Sequence, residues 1–144
     1  MKINEDKVVN AVKLFLNRKG YKVKYKKDKT SHGVDIKTDY HKQYRKQYLI
    51  EAKGEGGIKS YSACPVKHNS FYYLIGQIIS RMDIEGNKPN RGRIYALAIP
   101  KKWELTFKNK IKSMKFGWRS LGLVVFLVDE KGKAELKPNR YFLK

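Results

Sequence analysis

A chain of 144 residues is long enough for one compact domain with a real core, since a domain of this size buries roughly 68–70% of the surface its unfolded chain exposes. Its 33 Lys and Arg against 13 Asp and Glu leave a net charge of +20, an excess that asks for a polyanionic partner, nucleic acid before an anionic membrane. The single cysteine, Cys64, excludes an internal disulfide, the three scattered histidines argue against a zinc site, and no apolar run approaches the roughly 20 residues that span a bilayer.

In chain order, Asn4 to Arg18 carries Val8, Val9, Val12, Phe15 and Leu16 at helical spacing, with Asn4 as N-cap and Gly20 as the stop. Tyr21 to Tyr25, Gly33 to Thr38 and Gln47 to Lys53 then read as three successive strands. Gly54 to Asn69, rich in Gly, Ser and Lys and holding Pro65, reads as a loop. Phe71 to Met82 places Phe71, Leu74, Ile75, Ile78, Ile79 and Met82 on one helical stripe. Arg93 to Ile99 is a strand, and beyond Pro100 the spacing of Trp103, Phe107, Ile111 and Met114 predicts a third helix, strongly basic on its other faces. Leu121 to Val128 is a buried strand, Asp129 to Gly132 a turn, and Ala134 to Leu143 an added edge strand. With no repeat and no linker, residues 1–144 form one α/β domain of order αβββαβαβ, a mixed central sheet flanked by helices. The early acidic residues and the lack of a long apolar stretch near Met1 argue against a secretory signal, so a cytoplasmic protein is expected.

The stretch that carries chemistry is Gly-Val-Asp-Ile, a short basic connection, and Tyr-Leu-Ile-Glu-Ala-Lys-Gly. Side chains alternate along a strand, so Glu51 and Lys53 share a face with Leu49, while Ile50 and Ala52 take the other. An antiparallel pairing of the two segments in the right register sets Asp35 opposite Glu51. In so lysine-rich a chain, Glu-x-Lys alone would read as an ordinary solvated face. The apolar neighbours Val34, Ile36, Leu49 and Ile50 make these core strands, however, and a carboxylate there is costly unless paired, metal-bound or open to water.

Asp35, fifteen intervening residues and Glu51-Ala52-Lys53, placed on the second and third strands after a helix, resemble the PD-(D/E)XK nuclease superfamily, whose restriction-endonuclease-like core is also found in Holliday-junction resolvases and Mrr-type enzymes. The resemblance covers most of the chain; Val34 stands where the family name has proline. It implies a magnesium ion, with manganese as substitute, held by Asp35, Glu51 and the backbone carbonyl of Ala52, with Lys53 beside the attacking water. Magnesium prefers such hard oxygen ligands and completes its shell with water and phosphate oxygens. The resemblance also draws Glu5 and Gln77 into the catalytic set, because family members carry an acid on the first helix and a glutamine on the helix after Glu-x-Lys. Glu5 aligns with the buried stripe of the first helix and is expected to face inward, although a first-turn acid also suits the helix dipole. Gln77 lies off the apolar stripe, close to Tyr73 and Arg81 on the helix surface.

The expected nucleic-acid grips are Lys24, Lys26 and Lys27 before the motif, Lys42, Tyr44, Arg45 and Lys46 between its two strands, and Lys59 in the following loop. Phosphate contacts by such residues set position without reading sequence, and tyrosines stack on unpaired bases. His32, His41 and His68 are given no catalytic role. The leading expectation is a magnesium-dependent endonuclease hydrolysing DNA phosphodiester bonds at an Asp35, Glu51, Lys53 centre, with no nucleotide cofactor and no membrane partner. The alternatives are a junction resolvase, for which a homodimer would place two sites on opposing strands, and a nucleic-acid-binding module that does not cut.

Overall fold

The computed structural model describes residues 2–25, 34–56, 63–84 and 92–144. It is an α/β fold built on one mixed six-stranded open sheet in which the strands follow their order in the chain. The elements are α1 (Glu5–Arg18), β1 (Val23–Tyr25), β2 (Ile36–Thr38), β3 (Gln47–Ala52), α2 (Ala63–Ile84), β4 (Arg93–Pro100), α3 (Glu104–Lys112), α4 (Lys115–Leu121), β5 (Val124–Val128) and β6 (Ala134–Lys137). Strands β1, β2 and β3 pair antiparallel; β3, β4 and β5 pair parallel, each crossover made by helices; β6 returns antiparallel at the edge. Among the described residues no helix is long and apolar enough to cross a membrane.

Two hydrophobic layers sandwich the sheet. On one face Val8, Ala11, Val12 and Leu16 of α1 pack with Ile36, Ile50, Ala52, Ala96, Ala98, Phe126 and Val128. On the other, Phe71, Leu74 and Ile78 of α2, Phe107 and Ile111 of α3 and Trp118 of α4 cover Leu49, Leu97, Val125 and Leu127. The period-2 alternation along β3 thus sends Ile50 and Ala52 to α1 and Leu49 to α2, and Glu51, on the face of Leu49, meets the second helix.

The first helix begins as its sequence dictates. The Asn4 side chain accepts the Lys7 N–H at 2.8 Å, Glu5 and Asp6 fill the first turn, and Ile3 before the cap joins the same cluster as Val8, a hydrophobic staple. That staple explains why Glu5 does not face inward as expected: Ile3, only 1% exposed, occupies the apolar place beneath the first turn, and Glu5 is exposed.

Other boundaries move for equally local reasons. Residues 63–69, expected in a loop, already belong to α2; Pro65 stands in the first turn, where its missing N–H costs nothing. The stretch from Lys115 to Leu121 forms a short helix, α4, that the sequence reading did not separate, and β5 starts only at Val124. Strand β6 stops at Lys137 because Pro138 cannot continue a ladder, and Asn139–Leu143 turns as a 3₁₀ helix. Asn139 fastens that turn by donating to the carbonyls of Trp118 and Leu123 while its own carbonyl accepts the Trp118 indole N–H.

Candidate active site

The pairing of β2 with β3 sets Ile36 opposite Ile50 and Lys37 opposite Leu49. One further step along the same register brings Asp35 opposite Glu51, as the hairpin reading requires. The two carboxyl groups are within hydrogen-bonding reach of each other, and the Asp35 Oδ2 also accepts the Ala52 N–H at 2.9 Å. Lys53 follows directly, its own N–H held by the Ala98 carbonyl at 3.0 Å. The triad therefore stands where β3 leaves the sheet, beside parallel neighbour β4.

Glu51 is 1% exposed, an uncommon place for a carboxylate. Burial, and next the adjacent Asp35 carboxylate, push its pKa up to about 8, against the pull of Arg81, whose Nε donates to Glu51 Oε1 at 3.2 Å. Asp35 and Lys53 are only partly covered. The centre is thus a buried acid behind two groups that solvent can reach.

The second helix supplies the opposite wall. Tyr73, Gln77 and Arg81 recur every four residues and so share one face of α2. The Gln77 amide donates to the Tyr73 hydroxyl at 3.1 Å, and the Lys53 ammonium lies 4.6 Å from the centre of the Tyr73 ring, within cation–π range. Gln77 therefore reaches the centre through Tyr73. Tyr73 and Arg81 were missed as site residues by the sequence reading, which saw them only as neighbours of Gln77; the signal available was their four-residue spacing on a face that the apolar stripe leaves uncovered.

The start of α1 closes the same end of the sheet. Gly54 lies so close to it that a Cβ there would come within 2.1 Å of the Glu5 backbone nitrogen, so only glycine permits this approach. Glu55 locks the junction: its carboxylate accepts the Ile3 N–H at 3.0 Å and pairs with Lys102 at 2.9 Å, while its own N–H donates to the Ile3 carbonyl. Burial works against ionisation of Glu55, but these partners outweigh it and hold its pKa below the usual carboxylate range. Glu5 stands at the rim of the site, next to the turn that follows Lys53.

The expected phosphate grips fall elsewhere. Lys42 and Arg45 are exposed in the turn joining β2 to β3, and Tyr44 is 47% exposed there, at the other end of these strands from Glu51. Lys46 closes that turn by bridging to His41. Lys24 makes an exposed ion pair with Asp39 at 3.1 Å, an interaction of small energetic value. Lys26, Lys27, Lys59 and His32 lie outside the described residues.

A resident divalent ion finds a limited donor set. No group of three or more His, Cys, Asp or Glu side chains that could hold a metal occurs among the described residues. The two carboxylates nonetheless suit magnesium, which takes one or two protein carboxylates and keeps water on its remaining positions, and their mutual repulsion is of the kind a dication relieves. Comparison of the chain with protein-family models, curated proteins and solved structures found no match.

Proposed function

We propose that this protein is a divalent-metal-dependent nuclease of restriction-endonuclease-like fold that hydrolyses phosphodiester bonds of DNA at Asp35, Glu51 and Lys53. One observation carries this reading above the others: a carboxylate buried to 1% exposure is matched in register with a second, accessible one, with a lysine two residues on, just past the end of the same strand. A sheet gains nothing in stability from setting two like charges together. Chemistry at phosphate gains a great deal.

Asp35, Glu51 and the Ala52 carbonyl would hold the ion; when bound, it lowers the pKa of attacking water and neutralises charge on the phosphate. Lys53 carries a fixed positive charge to the accessible side of the carboxylates, where it orients the scissile phosphate and stabilises the negative charge that grows as water attacks. Tyr73 holds that ammonium from the ring face, and Gln77 fixes the Tyr73 hydroxyl. Hydrolysis makes one bond from the water oxygen to phosphorus and breaks one ester P–O bond, leaving a phosphate monoester and a free hydroxyl; the proton lost by water ends on the departing oxygen through solvent. Glu5, whose backbone nitrogen lies against Gly54, would on this reading orient water entering the site.

A second reading has its own observation. Arg81 already contacts Glu51 at 3.2 Å, so a module that binds nucleic acid without cutting it would need Glu51 only as the partner of Arg81. Incubation of the purified protein with supercoiled plasmid and with a labelled four-way junction, in magnesium, in manganese and in EDTA, separates the two. The nuclease nicks in either metal and not in EDTA, and preferential junction cleavage identifies a resolvase. Binding of both DNAs with no cleavage in any metal supports the binding module.

A further inference from the structure

A cavity of about 410 Å³ opens at the far end of β2 and β3 from the carboxylates, between the turn Gly20–Lys22 and residues 39–43. We propose that it is a nucleobase-binding pocket that takes one unpaired base of a single-stranded or frayed nucleic acid, with the flanking phosphates on Lys22 and Lys42. The inference rests on the nucleic-acid part of the proposed function and not on hydrolysis.

The walls are aromatic and already set. Tyr21 lines the pocket and is almost wholly buried, its ring 4.9 Å from His41 and 5.2 Å from Tyr48. His41 is in turn stacked on Tyr44, centroids 4.3 Å apart and planes 26° apart. Tyr40 is 51% exposed at the pocket mouth, with one ring edge against Gly92, where a Cβ would come within 3.0 Å of it. An exposed tyrosine held from behind offers a flat face at little entropic cost, and base–aromatic stacking tolerates any base because every base has a π-face.

The polar groups suit the edge of a base. The Tyr44 N–H donates to His41 Nδ1 at 3.2 Å, so a neutral imidazole carries its proton on Nε2. That nitrogen looks across Gly20, where φ is +89° and a Cβ would approach it to 3.2 Å, so a side chain there would crowd the donor. Asp39 and Gln43 add an acceptor and an amide, and Lys22 and Lys42 flank the opening. The volume lies in the range that holds one small ligand. Asp39 and Asp35 flank the two ends of β2, four residues or roughly 13 Å apart if the chain is extended throughout, so base grip and carboxylates are separate stations.

The test uses the full chain in EDTA, with a short single-stranded oligonucleotide carrying 2-aminopurine, the same strand with an abasic position in its place, the matching duplex, and free dAMP as competitor. The pocket predicts quenching of 2-aminopurine on binding and an affinity roughly five- to 150-fold higher for the intact than for the abasic strand. Tyr40→Ala abolishes that difference, Tyr40→Phe keeps it, and neither changes duplex affinity. Equal binding of intact and abasic strands by the wild type overturns the proposal without any variant. So does a Tyr40→Ala protein that binds duplex and single strand equally weakly. If dAMP displaces the probe while intact and abasic strands bind alike, the pocket belongs to a free nucleotide and the strand assignment is wrong. Plasmid nicking in magnesium is scored separately, so loss of the pocket and loss of nuclease activity are distinguishable.

Discussion

Glu51 is the residue on which the account turns, because burial and the Asp35 carboxylate raise its pKa from 4.5 to about 8. A carboxyl whose folded pKa is raised contributes stability that is complete below its unfolded value and is lost as pH rises through the folded one. In metal-free buffer the Glu51 contribution to the melting temperature should therefore be lost progressively between about pH 4.5 and about pH 8 and be absent above, and Glu51→Gln should flatten that slope; a wild-type slope unchanged by Glu51→Gln contradicts the assignment. Binding a dication requires the ionised form, so magnesium uptake below pH 8 should release protons, seen in calorimetry as a heat that varies with the buffer's ionisation enthalpy. Tyr73 acts at the same scale. Replacing its ring by leucine removes a cation–π contact worth about 0.5–1 kcal/mol, so kcat should fall roughly two- to fivefold with KM little changed, while Tyr73→Phe keeps the ring and loses only the Gln77 bond. Equal kcat for leucine and phenylalanine would remove Tyr73 from the site.

At the scale of elements, the site depends on two junctions, β2 against β3 and the start of α1 against Gly54. Gly54→Ala forces a methyl into the Asn4–Glu5 backbone, which lies 2.1–2.2 Å from the new carbon. Overpacking of this kind costs about 1–3 kcal/mol, and thermal melts should show that loss together with weakened metal binding; a protein as stable as the wild type would mean that the helix start moves aside freely. These junctions also mark what the sequence made legible. Alternation around Asp35 and Glu51 allowed their pairing but left the register open; the structure supplies it, in the one register that keeps Ile36 and Ile50 in the core. The Asn4 cap and the apolar stripe placed α1 to within a residue. Of the two readings of Glu5, the inward one fails and the first-turn acid holds, because helical periodicity carries no information about Ile3, which lies outside the helix yet takes the buried position. The helix α4 escaped because seven residues that include Gly117 show no period, and Pro65 passed for a loop residue because a first-turn proline and a turn proline look alike in sequence.

For the whole molecule, the net charge of +20 would dominate the affinity for nucleic acid that the proposed function requires. The basic turn at residues 42–46 and the carboxylate centre lie at opposite ends of β2 and β3, so under the proposed function a polyanion would land on the turn and be cut at the other end. DNA binding in EDTA should follow a straight line of log K against log salt, with a loss of about 10³ between 50 and 200 mM if some six phosphates are neutralised; a flat line would remove counterion release as the source of affinity. Both sheet edges, β1 and β6, are short and carry lysine, which discourages edge-to-edge association of copies.

The central claim, hydrolysis at Asp35, Glu51 and Lys53, is tested most directly by single-turnover cleavage in magnesium set beside DNA binding, for the wild type, Asp35→Asn and Lys53→Met. The account predicts that both variants fold and bind DNA at least as tightly as Asp35 and Lys53 charges allow, while Lys53→Met cleaves about 10²–10³-fold more slowly and Asp35→Asn slower still. Cleavage by either variant at the wild-type rate, with binding intact, would contradict it and place any nuclease activity elsewhere in the chain.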